Sequence, residues 1–584
     1  MVIRFERFRQ LSSLEDAISK QGDAVDLTPP DHPDKPRYLN NLGNSFFVRF
    51  KHFGQLSDIE EAISRQRDAV DLTPFGHPDR PGRLNNLGRS FIVRFERLGQ
   101  LNDLEDAISR QMDAVDLTPR DHPHKPAYLS NLGHSFFTRF ERFGQPSDLE
   151  DAISRQSDAL DLTPQGHPHK PGYLNDLGNY ILTRFERLGQ LSDLEDSISR
   201  LSAAVDLTPY DHPHKPACLN NLGTSFFTRF KHFGKLSDLE DAISRQRDAV
   251  NLIPHGHPDK AACLNSLANS FVTRFERMGQ LSDLEDAIFL YFHSATDLFG
   301  PIRARFYASQ QWIACARHIH HSSLLQANSV AINLLPQLAW IGLSLSHRYS
   351  ELARGTDVVR EAAAAALELG LPETAVEWLE QGRLIVWGDL FQLRSSYEEL
   401  SSSHPDHARR LRELSASLEH ASATHERSLP VVSEQTEHAT ESLQEEADRH
   451  RTLAIERDKL LQEIRRFPGF ERFLLQKEFS RLRASAHTGP VVMLNAADTR
   501  CDALIVLAAV DHVIHVPLPN FTFNRSINLQ NRLKNLVRHS REGRRIALED
   551  FSWESLLSPL WECVVKPVLN AFALSACRVT PLGL

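Results

Sequence analysis

What this sequence has little of narrows its class first. Six cysteines (Cys218, Cys263, Cys315, Cys501, Cys563 and Cys577) are scattered over 584 residues without a C-x-x-C pair. That spacing excludes a disulfide framework and the common zinc modules. Cys218 and Cys263 stand 45 residues apart and read as small buried residues, so a reduced, intracellular and cytoplasmic chain is the simplest expectation. A basic excess is also missing: the formal net charge is −10, which argues against a general nucleic-acid binder. Long hydrophobic runs are absent. The most apolar stretch, Val330 to Leu345, contains Asn333, Pro336 and Gln337 and reads as a buried helix, not a membrane span. Met1 is followed at once by Arg4-Phe5-Glu6-Arg7-Phe8, without the apolar region of a secretion signal. The expectation is a soluble chain of three or four structural units, with no membrane partner.

What the sequence does have is a period. Arg-Phe recurs with its arginine at Arg4, Arg49, Arg94, Arg139, Arg184, Arg229 and Arg274, always 45 residues apart. Leu-Gly keeps the same register at Gly43, Gly88, Gly133, Gly178 and Gly223, and Ala268 replaces the glycine in the last copy. Thr-Pro recurs at Pro29, Pro74, Pro119, Pro164 and Pro209. A fixed period of this size means a solenoid in which each unit buries its apolar face on its neighbours.

Two helices per unit follow from the pattern. Leu39, Leu42, Phe46, Phe50 and Phe53 form one helical stripe from about Lys35 to Phe53. Pro36 fits its first turn, and Gly54 fits the left-handed residue just past its end. Ser57-x-x-Glu60 has the form of a capping box that opens the second helix. Ile59, Ala62, Ile63, Ala69 and Val70 supply the second buried stripe, which Pro74 ends.

The order Leu42-Gly43, Phe46, Ala62, Ala69, Pro74 resembles the tetratricopeptide (TPR) signature, with lengthened turns that stretch the unit to 45 residues. The resemblance covers roughly residues 4–288 and implies an α-α superhelical solenoid whose first helices line a peptide-binding groove. It places Asn40, Asn85, Asn175, Asn220 and Asn265 on that groove, with Asn44, Asn179 and Asn269 just past the glycine or alanine. An asparagine amide offers two donors and an acceptor, which matches an extended peptide backbone. Residues four apart share a helix face, so Asn40 and Asn44 are expected to point the same way. The competing reading is that these amides satisfy contacts between helices. The lysines of a carboxylate clamp are missing from those positions.

Histidines also follow the period, at His32, His77, His122, His167, His212 and His257, with His124, His169 and His214 two residues on in three copies. Each opens an H-P-x-x-P turn, with Ala261 in place of the second proline after His257, and none has carboxylate or cysteine company at ligand spacing. The turn reading is therefore preferred to a metal array, and no metal or cofactor is expected.

Four segments result: the array at 1–288, degenerate helical repeats at 289–395, long charged helices at 396–488, and a C-terminal fragment at 489–584. Asp357–Leu369 and Glu373–Leu393 read as helices, the latter as a last TPR-type second helix. Residues 405–466 carry two narrow leucine seams around Pro430. They fit an antiparallel helical hairpin; a self-associating coiled coil is the alternative. Pro490–Asn495, Ala503–Ala508 and His512–Val516 read as a three-strand meander. Helices over Asn528–His539 and Trp553–Phe572 follow. The arginines and lysines between Arg525 and Arg545 lack interleaved aromatics and read as one exposed helix face.

Glu377-Trp378-Leu379-Glu380-Gln381-Gly382-Arg383, the charged helices and the V-V-M-L-N-A and D-A-L-I-V-L strands are similar to the start of a CHAT domain. The order resembles fungal TPR–CHAT proteins. That resemblance implies a small, incomplete α/β caspase-like fragment, because the His and Cys of active members would fall on later strands. Cys577 imitates the nucleophile motif but stands too near Leu584 for a pocket to be built around it. Two functions remain: a non-enzymatic scaffold that binds protein or peptide partners, or a TPR–CHAT cysteine protease or its product. Met1 falls near the end of a first helix, so Leu14–Leu27 is expected to expose apolar residues.

Overall fold

A computed structural model describes residues 11–99, 101–338, 345–393, 397–427, 453, 456–471, 473–474, 478–542 and 553–579. One compact unit runs to residue 308; a second comprises residues 309–427 and 456–579.

In the first unit, α1 (Leu11–Leu27) precedes six helix pairs. These are α2 (Lys35–Phe53) with α3 (Leu56–Asp71), α4 (Arg80–Leu98) with α5 (Leu101–Asp116), and α6 (Lys125–Phe143) with α7 (Pro146–Asp161). The series continues with α8 (Lys170–Leu188) and α9 (Leu191–Leu207), α10 (Lys215–Phe233) and α11 (Leu236–Leu252), then α12 (Lys260–Met278) and α13 (Leu281–Thr296). Every first helix ends on a left-handed glycine: Gly54, Gly99, Gly144, Gly189, Gly234 and Gly279 have φ between 65° and 71°. The N–H of Gly54 closes the last turn on Phe50 O at 2.7 Å. One position near the start of each second helix varies little: Ile59, Leu104, Leu149, Leu194, Leu239 and Leu284 are all buried. The architecture is the expected α-α solenoid.

The S-x-x-E signal does not work as a capping box. Helix α3 starts at Leu56, its N-cap Gln55 is extended, and no side chain caps it. Its acids are instead drawn into ion pairs with the recurrent arginine. Arg94 sets Nε and Nη2 on the buried Asp103 carboxylate at 2.9 and 2.5 Å, and Nη1 on Glu60 of the preceding repeat at 2.7 Å. Arg139, Arg184, Arg229 and Arg274 repeat this with Asp148, Asp193, Asp238 and Asp283, and with Glu105, Glu150, Glu195 and Glu240. Each arginine thus ties its own second helix to the one before it.

The glycine of Leu-Gly is a packing device. A Cβ on Gly88 would lie 2.7 Å from Gln111 Cγ and 3.1 Å from Ala107 O. Gln111 is held there because its Oε1 accepts the Ser135 hydroxyl of the next repeat. The turns are fastened as well. Lys35 Nζ donates to Val25 O and Thr28 O at 2.6 and 2.7 Å, placing a cation on the negative end of the preceding helix. Each periodic histidine accepts the N–H two residues on, as His122 Nδ1 does from His124 at 3.2 Å. That bond commits the ring to the turn, as the sequence indicated.

Helix α1 corrects one expectation. Leu14, Ala17 and Val25 are buried, and of the large apolar residues of the segment Leu27, at its end, is the exposed one. The stripe of a second helix faces the first helix that follows it, and Val25 packs with Leu39 and Leu42 of α2.

In the second unit, α14 (Ile302–His318, its start shared with the first unit) leads to α15 (Leu324–Leu338), α16 (Leu345–Glu368) and α17 (Pro372–Leu393). The apolar stretch near Val330 is thus helical up to Leu338, with Ala331, Ile332, Leu334, Leu335 and Leu338 buried and Asn333, Pro336 and Gln337 exposed; residues 339–344 lie outside the described set. Helices α18 (Glu398–Ser403) and α19 (Pro405–Arg427) follow. Tyr397 meets Phe473, His404 stacks on Phe467 at 4.0 Å, and Arg410 pairs with Glu456 at 2.9 Å. Those pairings run in opposite directions along the two arms, as in an antiparallel hairpin; its tip lies outside the described residues.

After α20 (Phe479–Leu482), strands β1 (Val491–Ala496), β2 (Cys501–Val506) and β3 (Ile514–Pro517) form an antiparallel meander in that order. Helices α21 (Phe523–Glu542), α22 (Trp553–Leu560) and α23 (Lys566–Val579) complete the unit. Val564 and Val568 cover Cys501, Ala503 and Ile505 on one face of the sheet. Carboxylates of α16 and α17 hold the sheet's turns and α20 in place by accepting backbone N–H groups: Glu361 from Asp498, Glu373 from Val513, and Glu377 from Phe479 of α20. Among the described residues no helix is long and apolar enough to cross a membrane.

Candidate interaction groove of the repeat array

The order of packing sets which helices share one side of the array. Neighbouring first helices touch one another, while each second helix packs mainly between its own first helix and the next. First helices therefore form the inner layer. Their common face follows helical steps of four, four and three: Asn220, Thr224, Thr228 and Lys231 on α10. A cavity of about 420 Å³ opens there, lined on α10 by Thr224, Phe227, Thr228, Lys231 and His232. Phe185 and Glu186 of α8, Gln246 of α11, and Ser266 and Asn269 of α12 complete its walls. Crowding pushes the Glu186 carboxyl above its ordinary pKa, and the charges of Lys231 and Arg187 oppose that rise. Lys231 Nζ lies 5.8 Å from the Phe227 ring centroid.

The structure places the eight asparagines on or beside this layer, but most amides already serve the array. Asn86 donates to Asn40, Asn131 to Asn85 and Asn221 to Asn175, each joining successive first helices at 2.9–3.1 Å. Asn44 Oδ1 accepts from Gln66 of its own second helix at 2.9 Å. Asn40 and Asn44 therefore reach different neighbours, since four residues overshoot a full turn and rotate one amide away from the other. Asn265 donates to Ala304 O. Asn269 Oδ1 accepts both the Tyr291 and Tyr307 hydroxyls at 2.6 and 2.9 Å. Asn179 and Asn220 are half-buried, and the buried Asn220 Oδ1 has no hydrogen-bond partner among the described residues. Sequence reasoning missed Phe185, Glu186, Phe227 and Lys231; extending the Asn220 face by two turns would have found Lys231.

Near the middle of the groove the repeats depart from one another. His134 stands where the other copies carry Asn44, Arg89, Asn179, Thr224 and Asn269. Asp176 replaces Asn41, Asn86, Asn131 and Asn221, and Tyr180 replaces Ser45, Ser90, Ser135, Ser225 and Ser270. His134 Nε2 meets Glu96 Oε1 at 3.3 Å. Desolvation pulls the imidazole pKa down, yet the hydrogen bond to Glu96 and the charges of Glu96, Asp176 and Glu141 outweigh it and leave it raised. The Asp176 and Glu141 carboxyls are both raised, foremost by the surrounding groove walls, although Glu141 remains open to solvent. Burial and the same two carboxylates push the Tyr180 hydroxyl well above its ordinary value.

No family model matches the chain, and no curated protein matches it. Among solved structures it is similar to a Podospora anserina protein described as putative kinesin light chain with nearly identical TPR-like repeats. That match has 14% identity, covers 37% of this chain and 96% of the other, and gives a TM-score of 0.28. A TPR protein of Thermus thermophilus matches at 15% identity over 41% and 99% of the two chains, with a TM-score of 0.29. YrrB, described as a TPR protein with an unusual peptide-binding site, matches at 14% identity over 38% and 91%, with a TM-score of 0.25.

Proposed function

We propose that the array is a protein-interaction scaffold that holds an extended segment of a partner along the inner layer of first helices. The observation that carries this reading is the cavity between α8, α10 and α12, where Glu186 and Lys231 flank the aromatic rings of Phe185 and Phe227. Opposite charges beside an apolar floor suit a peptide, which brings side chains and a polar backbone together. Asn40, Asn44, Asn85, Asn175, Asn179, Asn220, Asn265 and Asn269 supply the amides beside the segment. An amide tethered by one bond keeps further donor or acceptor capacity, so the internal bonds orient these groups.

We read residues 489–584 as the front part of a CHAT-type, caspase-like domain without a catalytic dyad of its own. Supporting this, His515 is committed to Asp502 at 2.7 Å, and the buried Cys501 thiol is pushed up in pKa by burial. Cys577 lies within helix α23; its side chain is outside the described set.

The test is selection of a displayed random 12-mer library on the full chain. Selected peptides should lose at least tenfold in affinity with Phe227→Ala or Lys231→Glu, and keep it with Arg245→Ala on the outer helix α11. Peptides that bind all three variants equally would refute the groove. A fluorogenic-peptide assay should show no cleavage that depends on Cys577.

A further inference from the structure

The last copy of the repeat departs from the others along one wall. His293 stands where other second helices carry Asp68, Asp113, Asp158 and Asp248. Asn251 and Thr296 stand where Asp71, Asp116, Asp161 and Asp206 recur. Leu290 takes the place of Arg65, Arg110, Arg155, Arg200 and Arg245, and Phe289 takes that of a serine. His255 occupies a turn position that no other copy gives to histidine. Aspartates have been removed, imidazoles added, and a guanidinium replaced by an apolar side chain.

These substitutions gather at a cavity. About 590 Å³ opens between the end of α11, the turn after it, the start of α12 and the last turns of α13. Val250, Leu264, Phe289 and Leu290 give it an apolar lining, and His255, Lys260 and His293 bring three cation-forming groups to its wall. Phe289 and Phe292 meet the His293 ring edge-on, with centroids 4.3 and 5.1 Å away, and brace it. Lys260 Nζ donates to Ile253 O at 3.0 Å, and an ammonium has two further donors. Burial holds the His293 imidazole below its ordinary pKa, and the charges of His255 and Lys260 act in the same direction. Asp297, the carboxylate among the lining residues, accepts the Phe299 N–H at 3.1 Å and closes the turn after α13. Among the described residues no three His, Cys, Asp or Glu side chains converge closely enough to hold a metal ion. What this wall can receive is an anion.

We propose that this cavity binds a small carboxylic acid with an aromatic body. Its volume is that of a small-molecule pocket, in which an apolar lining is combined with a few placed polar groups. The ligand's carboxylate accepts from Lys260 and His293, while its ring lies against Phe289, Leu290 and Leu264. A single negative charge suits the site better than a doubly charged phosphate, because Asp297 stands on the same wall and repels added charge. The site shares no lining residue with the cavity at Phe227 and Lys231, so it goes beyond the scaffold reading and does not depend on it.

The test uses the full chain with ring-labelled histidine, its His293 signal identified by its loss in His293→Asp, titrated with 3-phenylpropionate by NMR. A saturable shift of that signal is expected, and the ring should titrate at higher pH with ligand bound, because an anion favours the imidazolium. 3-Phenylpropionamide, the neutral isostere, should leave the signal in place. Calorimetry should show affinity reduced at least about tenfold in His293→Asp and in His255→Asp. The first restores the residue of other copies and the second lies on an exposed turn, so thermal melting should show both folded. Phe227→Ala, in the other cavity, should bind as the unchanged protein does. A His293 signal that phenylpropionate does not move, equal binding of the amide, tighter binding of phenyl phosphate, full affinity in both folded variants, or a loss in Phe227→Ala overturns the pocket. Peptide selection that still maps to Phe227 and Lys231 would leave the scaffold standing in that event.

Discussion

Replacing Arg94 by methionine should be among the most damaging single changes in the array. Arg94 is 2% exposed and makes three charge-assisted bonds, two to Asp103 and one to Glu60. Methionine keeps much of the volume but removes the charge that is bonded twice to the Asp103 carboxylate, itself 0% exposed. Breaking a buried pair from one side costs about 3–5 kcal/mol, most of it the stranded charge. Glu60 is a quarter exposed and can turn to water, so its share is about 1 kcal/mol or less. With a urea m-value of about 3 kcal/mol/M, the midpoint should fall by roughly 1–2 M. Arg94 also joins α4 to α5 and to the preceding α3, so the loss weakens a coupling between repeats. In a one-dimensional array that splits the transition, and amide exchange should show α1–α3 opening before the rest. The double variant Arg94→Met with Asp103→Leu removes both charges and should recover most of the loss. A single variant that costs under about 1 kcal/mol, or a double variant no more stable than the single, would refute the clamp.

Three further outcomes are expected. Gly88→Ala forces a Cβ to within 2.7 Å of Gln111 Cγ and should cost about 1–3 kcal/mol by thermal melting, with part regained in Gly88→Ala/Gln111→Ala. The Asp502 carboxyl is desolvated, yet bonds from His515 and Arg500 hold its pKa below the ordinary 3.8. Because the folded value is the lower one, its contribution is complete above that ordinary pKa and is lost as pH falls through the depressed value. Asp502→Asn should therefore flatten the acid limb of the second unit's unfolding curve. Finally, burial pushes the Cys263 thiol up to about 12 and raises Cys218 too, so in native protein at pH 8 Ellman's reagent should modify the half-buried Cys563 before Cys218 or Cys263; rapid labelling lost in Cys263→Ser would contradict that packing.

The period, the two helices per unit and the three-strand meander were legible in the chain alone, because each is written in near neighbours. Apolar steps of three and four set the helices, Gly54 and its equivalents set their ends, and the 45-residue register of Arg-Phe guarantees that one unit stacks like the next. The periodic histidines were also readable, since the bond from His122 Nδ1 to the His124 N–H spans only two residues. Tertiary structure decided how residues far apart in the chain share polar groups. Ser57 and Glu60 look like a cap, but the acid answers to Arg94, 34 residues on. Asn40 looks like a free groove amide, but Asn86 reaches it across the next turn of the solenoid. A local motif states what a side chain can bond. Which partner it takes depends on the donors that packing brings within reach, and here most come from the following repeat. The same reason hid the contact of His134 with Glu96 at 3.3 Å, which joins two successive first helices across 38 residues of chain.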